Sequence, residues 1–553
     1  MRIRRPLGLM SVLATCSVAT VTTTLGAEVH ALPDNDVMMK AIVTELDRSM
    51  EHLVLDGLPK PYFMQYNAED RLTIDIRGAY GGLVRSHENR YRTITSHVRV
   101  GSFKLDNTNL GRGFGVRALL PVDDDYVPLR QAVWRATDED YKRAVELLAR
   151  KQAYLKQKSV EERPDDFSPA EPVRAIERSA EIGLTRSDWE RTVQTLSARF
   201  KAHPDIRDSD VTFFAGAVNN WVVNSDGTRL RTGDFGVHLK FRADIQAEDG
   251  MELDDSRAYL ALGVDGLPPV AKLLADVDDL CNRLVALSRA AVLEHYTGPV
   301  LFEPAAAGRV FEALLADGLS ATPIPLGGGN DTSFGKKIGR RILPRSFHVF
   351  DDSTSTTFDD TILAGSYTYD DEGVPPSRVE LVEKGVLKTL VSCRAPTKEI
   401  KKTTGHCRGG AFGDPMPTPG CLYVESSERL SAEELRGELI QAARDEGLEY
   451  GLRVESMEGG RYGALGRPIF AYKVYVEDGR EELVRGLEFQ PVEPRSMKHI
   501  LAAGSQRKAV NSLEGVSISV ISPAVLFEEL DLSKTDRELD KRPFLPSPLQ
   551  RDR

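Results

Sequence analysis

Histidine and cysteine are scarce in this chain, 10 and 5 residues in 553, and no cysteine follows Cys421. Imidazoles and thiolates for a transition-metal centre are correspondingly few. No Gly-x-Ser-x-Gly elbow occurs, so the commonest strand-to-helix serine nucleophile is missing. There is no internal repeat and no basic stripe with interleaved aromatics, and the net charge is −11. Phosphate binding wants a cationic surface, so nucleic acid is not expected as a partner. Beyond the N-terminus no run is long and apolar enough to span a bilayer, so no transmembrane helix is expected in the mature chain.

What is present is a large apolar complement, 41% of the residues, enough to bury a core of two or three domains. Arg2, Arg4 and Arg5 precede an apolar, small-residue run from Leu7 to Ala27, followed by Val29-His30-Ala31 and a proline. This is the layout of a secretory signal peptide over residues 1–31 and implies a periplasmic or extracellular product. Leu13-Ala14-Thr15-Cys16 only approximates a lipoprotein box, so lipidation at Cys16 is not expected, and Arg4-Arg5 alone does not make a twin-arginine signal.

Export permits disulfides. Cys281 lies on the apolar face of a helix pattern and reads as core. Cys393, Cys407 and Cys421 sit in or beside irregular segments, where one pair can bridge; their spacing does not say which.

The expected organisation is α+β: an N-terminal mixed domain over 32–160, a middle helix and strand region over 172–295, a strand-rich C-terminal domain over 296–532, and a charged tail over 533–553. Asp34 to Leu53 has helical periodicity, and Tyr62 to Val127 alternates as strands. Thr137 is placed to cap a helix through Lys158, and Ser187 with Glu190 forms a capping-box pattern. Asp226-Gly227, Lys384-Gly385 and Asp478-Gly479 are hairpin signals. Pro268-Pro269 opens a helix over Val270 to Leu293, and Ser431 with Glu434 caps one over Ala432 to Glu446, with Leu430 and Leu435 as its hydrophobic staple. Gly111-Arg112-Gly113-Phe114-Gly115 reads as a flexible turn, because no helix pattern opens behind it to make a phosphate loop.

Ser333-x-x-Lys336 matches the nucleophile pattern of penicillin-binding enzymes, but glycines on both sides argue against the helix that chemistry needs. The acidic pairs Asp351-Asp352 and Asp359-Asp360 with Asp370-Asp371-Glu372 offer oxygens to calcium, yet lack EF-hand spacing. His406-Cys407 puts an imidazole beside a thiol; adjacent residues seldom both reach one ion, so a plain loop role is expected.

The segment Thr297 to Leu319 reads as a short strand from Gly298 to Glu303, with a proline suited to an edge, followed by a helix from Ala305 to Asp317 that Gly318 ends. This segment resembles the metal-binding strand and helix of the TldD/PmbA family, whose TldD-type members carry His-Glu-x-x-x-His there. Further similarity lies in Ser333-Phe334-Gly335-Lys336-Lys337-Ile338-Gly339, Tyr369-Asp370-Asp371-Glu372-Gly373-Val374-Pro375, Glu383-Lys384-Gly385-Val386-Leu387-Lys388, and Thr404-Gly405 with Arg408. Aligned through Gly308 and Gly318-Leu319, Glu312 and Asp317 fall at the two histidine positions and Ala313 at that of the general-base glutamate. The resemblance implies a zinc hydrolase scaffold whose imidazoles, C-terminal thiolate and proton acceptor are absent, as in PmbA-type members.

It therefore implies no catalytic residues and no resident cofactor, and a peptide-binding role beside a TldD-type subunit or within a homo-oligomer. Peptide would be taken by strand addition, with Thr404, Gly405 and Arg408 as its contacts. An active metallopeptidase with substituted ligands and a non-enzymatic envelope binding or assembly protein are the alternatives.

Overall fold

The computed structural model describes residues 36–549 apart from 112–114, 159–162, 327, 329–332, 410–413, 461–463, 514, 536–538, 540 and 544. The expected leader over 1–31, Cys16 and the centre of the Gly111 to Gly115 turn lie outside the described residues.

Alternating sequence builds the first sheet. Strands Pro61–Ala79 and Gly82–Ser102 pair antiparallel, closing at Tyr80 and Gly81 with φ of 47° and 82°. Positive φ at both central residues is what a tight hairpin turn demands. Asp208–Asn224 and Arg229–Gln246 form a second long hairpin around Asp226-Gly227. The two hairpins join through Pro61–Ala79 and Asp208–Asn224, so strands from both expected N-terminal regions share one eight-stranded sheet.

One face of this sheet carries all its helices. Met64, Tyr66 and Ala68 pack with Met39 and Ile42 of Val37–His52 and with Val133 and Tyr141 of Tyr126–Lys158. Farther along the same face, Ile74 and Ile76 cluster with Val193 and Leu196 of Arg186–Ala198 and with Val277 and Leu280 of Val270–Arg289. Leu280 is fully buried, and truncating such a leucine to alanine costs about 2–5 kcal/mol. Cys281 lies buried in the same cluster. Residues of the opposite parity, Phe63, Gln65 and Asn67, point away from the helices and toward the C-terminal half.

Two local expectations change. Thr137 is inside the Tyr126–Lys158 helix, not at its start; its hydroxyl donates to the Val133 carbonyl at 2.8 Å and meets the Tyr66 hydroxyl at 2.5 Å. Leu129, Val133 and Ala136 already supply a buried stripe upstream, so the helix begins a turn or more earlier. Thr185, not Ser187, precedes the Arg186–Ala198 helix, and Glu190 accepts from Ser86 Oγ at 2.6 Å instead of reaching back to a cap.

The C-terminal half is built on a twelve-stranded sheet whose middle runs Phe347–Asp351, Cys421–Ser426, Ile518–Lys534, His295–Phe302, Tyr450–Met457, Pro468–Tyr475. His295–Phe302 is thus central rather than an edge, parallel to Tyr450–Met457 and antiparallel to Ile518–Lys534. Burial on both faces explains its unbroken apolar run. Val300 and Phe302 face the cluster that holds the Pro304–Leu315 helix, while Leu301 faces Leu435 and Leu439 of Ala432–Asp445. The capping box of Ser431 and Glu434 is formed in both directions. Helices beside extended antiparallel sheets give the α+β class, and no helix among the described residues is long and apolar enough to cross a membrane.

Candidate functional site

Two places deserve comparison: the Pro304–Leu315 helix, and the junction between the two halves. On the helix, Glu312 is held by Arg309, Oε2 to Nη1 at 2.9 Å, and Arg309 donates onward to the Asn511 carbonyl at 3.0 Å. Glu312 is therefore a partly buried, paired carboxylate and not the solvated charge a surface helix edge would give. Asp317 lies beyond the last helical residue, Leu315, and is exposed. Ala313 is buried, with its methyl beside Gly460. Gly318 does not itself stop the helix: a Cβ there would meet the Phe334 ring at 2.4 Å, so close packing requires it.

At the junction, the turn Asp370–Val374 is organised by one carboxylate. Asp370 Oδ1 accepts from the Glu372 and Val374 N–H groups at 3.0 and 2.8 Å, and Oδ2 accepts from Cys407 N–H at 2.9 Å. The Asp371 carbonyl accepts from Gln65 Nε2 at 2.8 Å and Asn67 Nδ2 at 2.6 Å, which ties this turn to the outward face of the first sheet. Asp371 Oδ2 accepts from Gly409 N–H at 2.6 Å, and Glu372 Oε2 from Arg394 N–H at 2.7 Å. Burial pushes Asp371 up to about 6, against the opposing pull of the Gly409 N–H and Arg408. Burial also raises Glu372, countered by Arg394 and Arg99, and raises Asp370 well above the ordinary carboxylate range, with the Glu372 charge adding to the effect.

Arg394 is the bolt between the halves. Its side chain is 1% exposed, donates through Nε to the Ser168 carbonyl at 2.9 Å and through Nη2 to Asp226 Oδ2 at 2.8 Å. Its guanidinium also lies over the rings of Phe167 and Phe63, at 4.1 and 4.9 Å. A planar cation with five donors can serve a carboxylate, a carbonyl and two aromatic faces at once, which a lysine cannot.

Beside Arg394, Cys393 is bonded to Cys407, with Cα atoms 4.7 Å apart, so of the candidate pairs this one closes and Cys421 stays free and buried. The disulfide forms part of the wall of a cavity of about 420 Å³. Phe63, Arg99 and Phe167 bound it from the N-terminal half, and Asp371, Glu372 and Met416 from the C-terminal half. Its wall is thus largely apolar with a few convergent charged groups, the usual make-up of a ligand site.

The structure brings the segment Thr404 to Arg408 up behind this cavity, but Cys407, not its neighbours, lines it. Thr404 Oγ1 accepts from Ser392 N–H at 2.8 Å, and the Gly405 carbonyl accepts from the Tyr367 hydroxyl at 2.8 Å. Gly405 has φ 74°, and a Cβ would come within 2.2 Å of the Pro375 carbonyl oxygen. Arg408 donates to the Ser517 carbonyl at 2.8 Å and stacks on Tyr367. His406 and Cys407 diverge: the imidazole is fully buried, with Nε2 2.9 Å from Asp351 Oδ1, while the sulfur faces Cys393. Sequence reasoning missed Arg394, Arg99, Phe63 and Phe167. None of them stands in a motif; the run Asp370-Asp371-Glu372, the segment Thr404 to Arg408 and the cysteines signalled this place.

Residues 295–534 match the family described as the PmbA/TldA metallopeptidase C-terminal domain. A metalloprotease of Methanocaldococcus jannaschii is 28% identical over 120 residues, 21% of this chain and 26% of the relative; the match thus spans about a quarter of that relative's length. Among solved structures, a Thermotoga maritima protein described as a proposed modulator of a DNA gyrase superposes with a TM-score of 0.60 at 18% identity, over 89% of this chain and 99% of that one. TldE from Thermococcus kodakarensis superposes with a TM-score of 0.56 at 14% identity, over 89% of this chain and 100% of that one. At such identities the superpositions speak for the fold. Residues 295–534 thus carry a match to the PmbA/TldA metallopeptidase C-terminal domain, and nearly the whole chain shares the fold of these solved structures.

Proposed function

We propose that this chain is an exported, peptide-binding member of the metallopeptidase-related TldD/PmbA family that acts as the non-hydrolytic partner of a TldD-type subunit. The observation that carries the reading is the state of the Pro304–Leu315 helix: at the positions the resemblance aligns with the metal ligands, Glu312 is engaged by Arg309 and Asp317 is exposed, and the residue aligned with the proton acceptor, Ala313, is a buried methyl. Water ionised by zinc needs neutral imidazoles around the metal and a carboxylate base beside it. The cavity at the junction of the halves supplies the complementary part, room for an extended segment of peptide. The Thr404–Arg408 segment supports the cavity wall from behind, with Arg408 held there by the Ser517 carbonyl and the Tyr367 ring.

The test uses full-length protein with and without a TldD-type subunit that carries His-Glu-x-x-x-His. The chain alone is expected to bind unfolded peptide without cutting it, and cleavage is expected only in the mixture. Stoichiometric zinc and peptidase activity in the isolated chain, both lost in Glu312→Ala, would establish an active metallopeptidase with substituted ligands instead. Export is tested separately, by the N-terminal sequence of the protein recovered from the cell envelope or medium, which is expected to begin shortly after Ala31.

A further inference from the structure

Three soft and hard donors from three segments converge in the cavity wall. The sulfurs of Cys393 and Cys407 and a carboxylate oxygen of Glu372 all lie within 4.8 Å of one another, the one place among the described residues where three such groups gather. All three residues line the cavity. Glu372 is fixed through Oε2 by the Arg394 N–H, and Cys407 by its own N–H on Asp370. The sulfurs are joined in the structure, which leaves no thiolate to bind a cation.

We propose that reduction of the Cys393–Cys407 disulfide opens a binding site for a thiophilic divalent cation of the zinc type, held by the two sulfurs and the Glu372 carboxylate, with its fourth position toward the cavity. A dithiol reductant breaks the S–S bond: two electrons and two protons pass to Cys393 and Cys407, and the reductant leaves as its own disulfide. The cation then displaces both thiol protons and binds the thiolates. In a tetrahedral site with metal–sulfur bonds of about 2.3 Å the sulfurs stand roughly 3.8 Å apart.

Charge favours the arrangement. Two thiolates and a carboxylate carry three negative charges and the cation cancels two; Arg394 and Arg99, paired with Asp226 and Asp106, still act electrostatically on Glu372. Sulfur ligands disfavour calcium and magnesium and select zinc-like ions. Three protein ligands and one open position is the composition of sites that bind exchangeable molecules, whereas structural zinc sites are closed by four. This site is separate from the Pro304–Leu315 helix and goes beyond the peptide-binding role, which needs no cation and is measured on the oxidised protein.

The experiment is an anaerobic titration of full-length protein, oxidised and phosphine-reduced, with cobalt(II) as the probe. Reduced protein is expected to take up one equivalent with intense thiolate-to-cobalt charge-transfer absorption, displaced by zinc, and oxidised protein to show none. Glu372→Gln is expected to weaken cobalt binding at least tenfold while keeping the charge-transfer band. The double variant Cys393→Ser, Cys407→Ser is expected to lose the band while its circular dichroism matches that of reduced wild-type protein. The proposal is overturned if folded, reduced protein shows no thiolate–cobalt band, if the double variant keeps it, or if the disulfide yields to reductant only on unfolding.

Discussion

Arg394 Nη2 and Asp226 Oδ2 meet at 2.8 Å across 168 positions of sequence, and they do so where the guanidinium has almost no access to water. A pair with its cation so enclosed adds little by itself relative to apolar packing, but losing the carboxylate would leave the guanidinium charge buried with one acceptor fewer.

Arg394→Met is accordingly expected to destabilise the protein by about 1–3 kcal/mol, because the Ser168 carbonyl loses its donor while Asp226, 28% exposed, can turn to water. Arg394→Lys should recover only part of this, since one ammonium cannot serve both acceptors and stack on Phe63 and Phe167. Denaturant unfolding followed by circular dichroism measures both variants; equal stability of Lys and wild type would contradict the two-acceptor reading.

Gly405→Ala should cost about 2 kcal/mol or more, combining left-handed strain with a backbone collision. The collision is with the Pro375 carbonyl oxygen, a rigid neighbour, so relief requires moving one loop against the other. Thermal unfolding gives the magnitude, and Gly328→Ala, at a left-handed glycine with no neighbour within 4 Å of its Cβ position, should cost only the strain.

Stability should fall from mild acid to neutral pH. Burial pushes Asp140 up to about 7, opposed by the Val98 N–H that its Oδ2 accepts at 2.7 Å. A carboxyl whose folded value is raised binds its proton more tightly in the native state. Its contribution is whole below the ordinary value of 3.8 and is lost as pH rises through about 7. Asp371, up to about 6, adds in the same direction. Asp140→Asn keeps an acceptor for Val98 and should remove its own share of the decline, about 3 kcal/mol, when melting is compared at pH 4.5 and 8.

Glu312→Ala should lower stability by only about 0.5–1 kcal/mol, the worth of a helical pair three residues apart with partial solvent access. Metal content by elemental analysis should be the same as in wild type. A drop in bound metal would return Glu312 to the role its position suggests.

Much of the local architecture was legible because it depends on neighbours in sequence. Asp226-Gly227, Lys384-Gly385 and Asp478-Gly479 turn strands as their chemistry demands, and Ser431 with Glu434 caps its helix. Thr137 misled because a good cap residue can equally well bond the preceding turn when the stripe continues upstream. Gly298 to Phe302 misled because a proline suggested an edge, while the uninterrupted apolar run marked a strand buried on both faces.

The site was legible only by halves. Asp370-Asp371-Glu372 and Thr404 to Arg408 could be singled out by resemblance, but Phe63, Arg99 and Phe167 carry no pattern of their own. Nothing within a few residues of Arg394 announces that Ser168 and Asp226 will be its partners. Nor does the spacing of Cys393, Cys407 and Cys421 choose a pair; that choice is made by the turn at Asp370, which holds Cys407 by its backbone.

The position of Arg394 also bears on how this chain can change over generations. A mutation at Arg394 would have to be accompanied by changes at Phe63, Phe167 and Asp226, which are encoded far apart, before the junction could repack. Drift at this spot is therefore throttled, and a viable descendant with a different residue there should carry matching replacements in both halves of its gene.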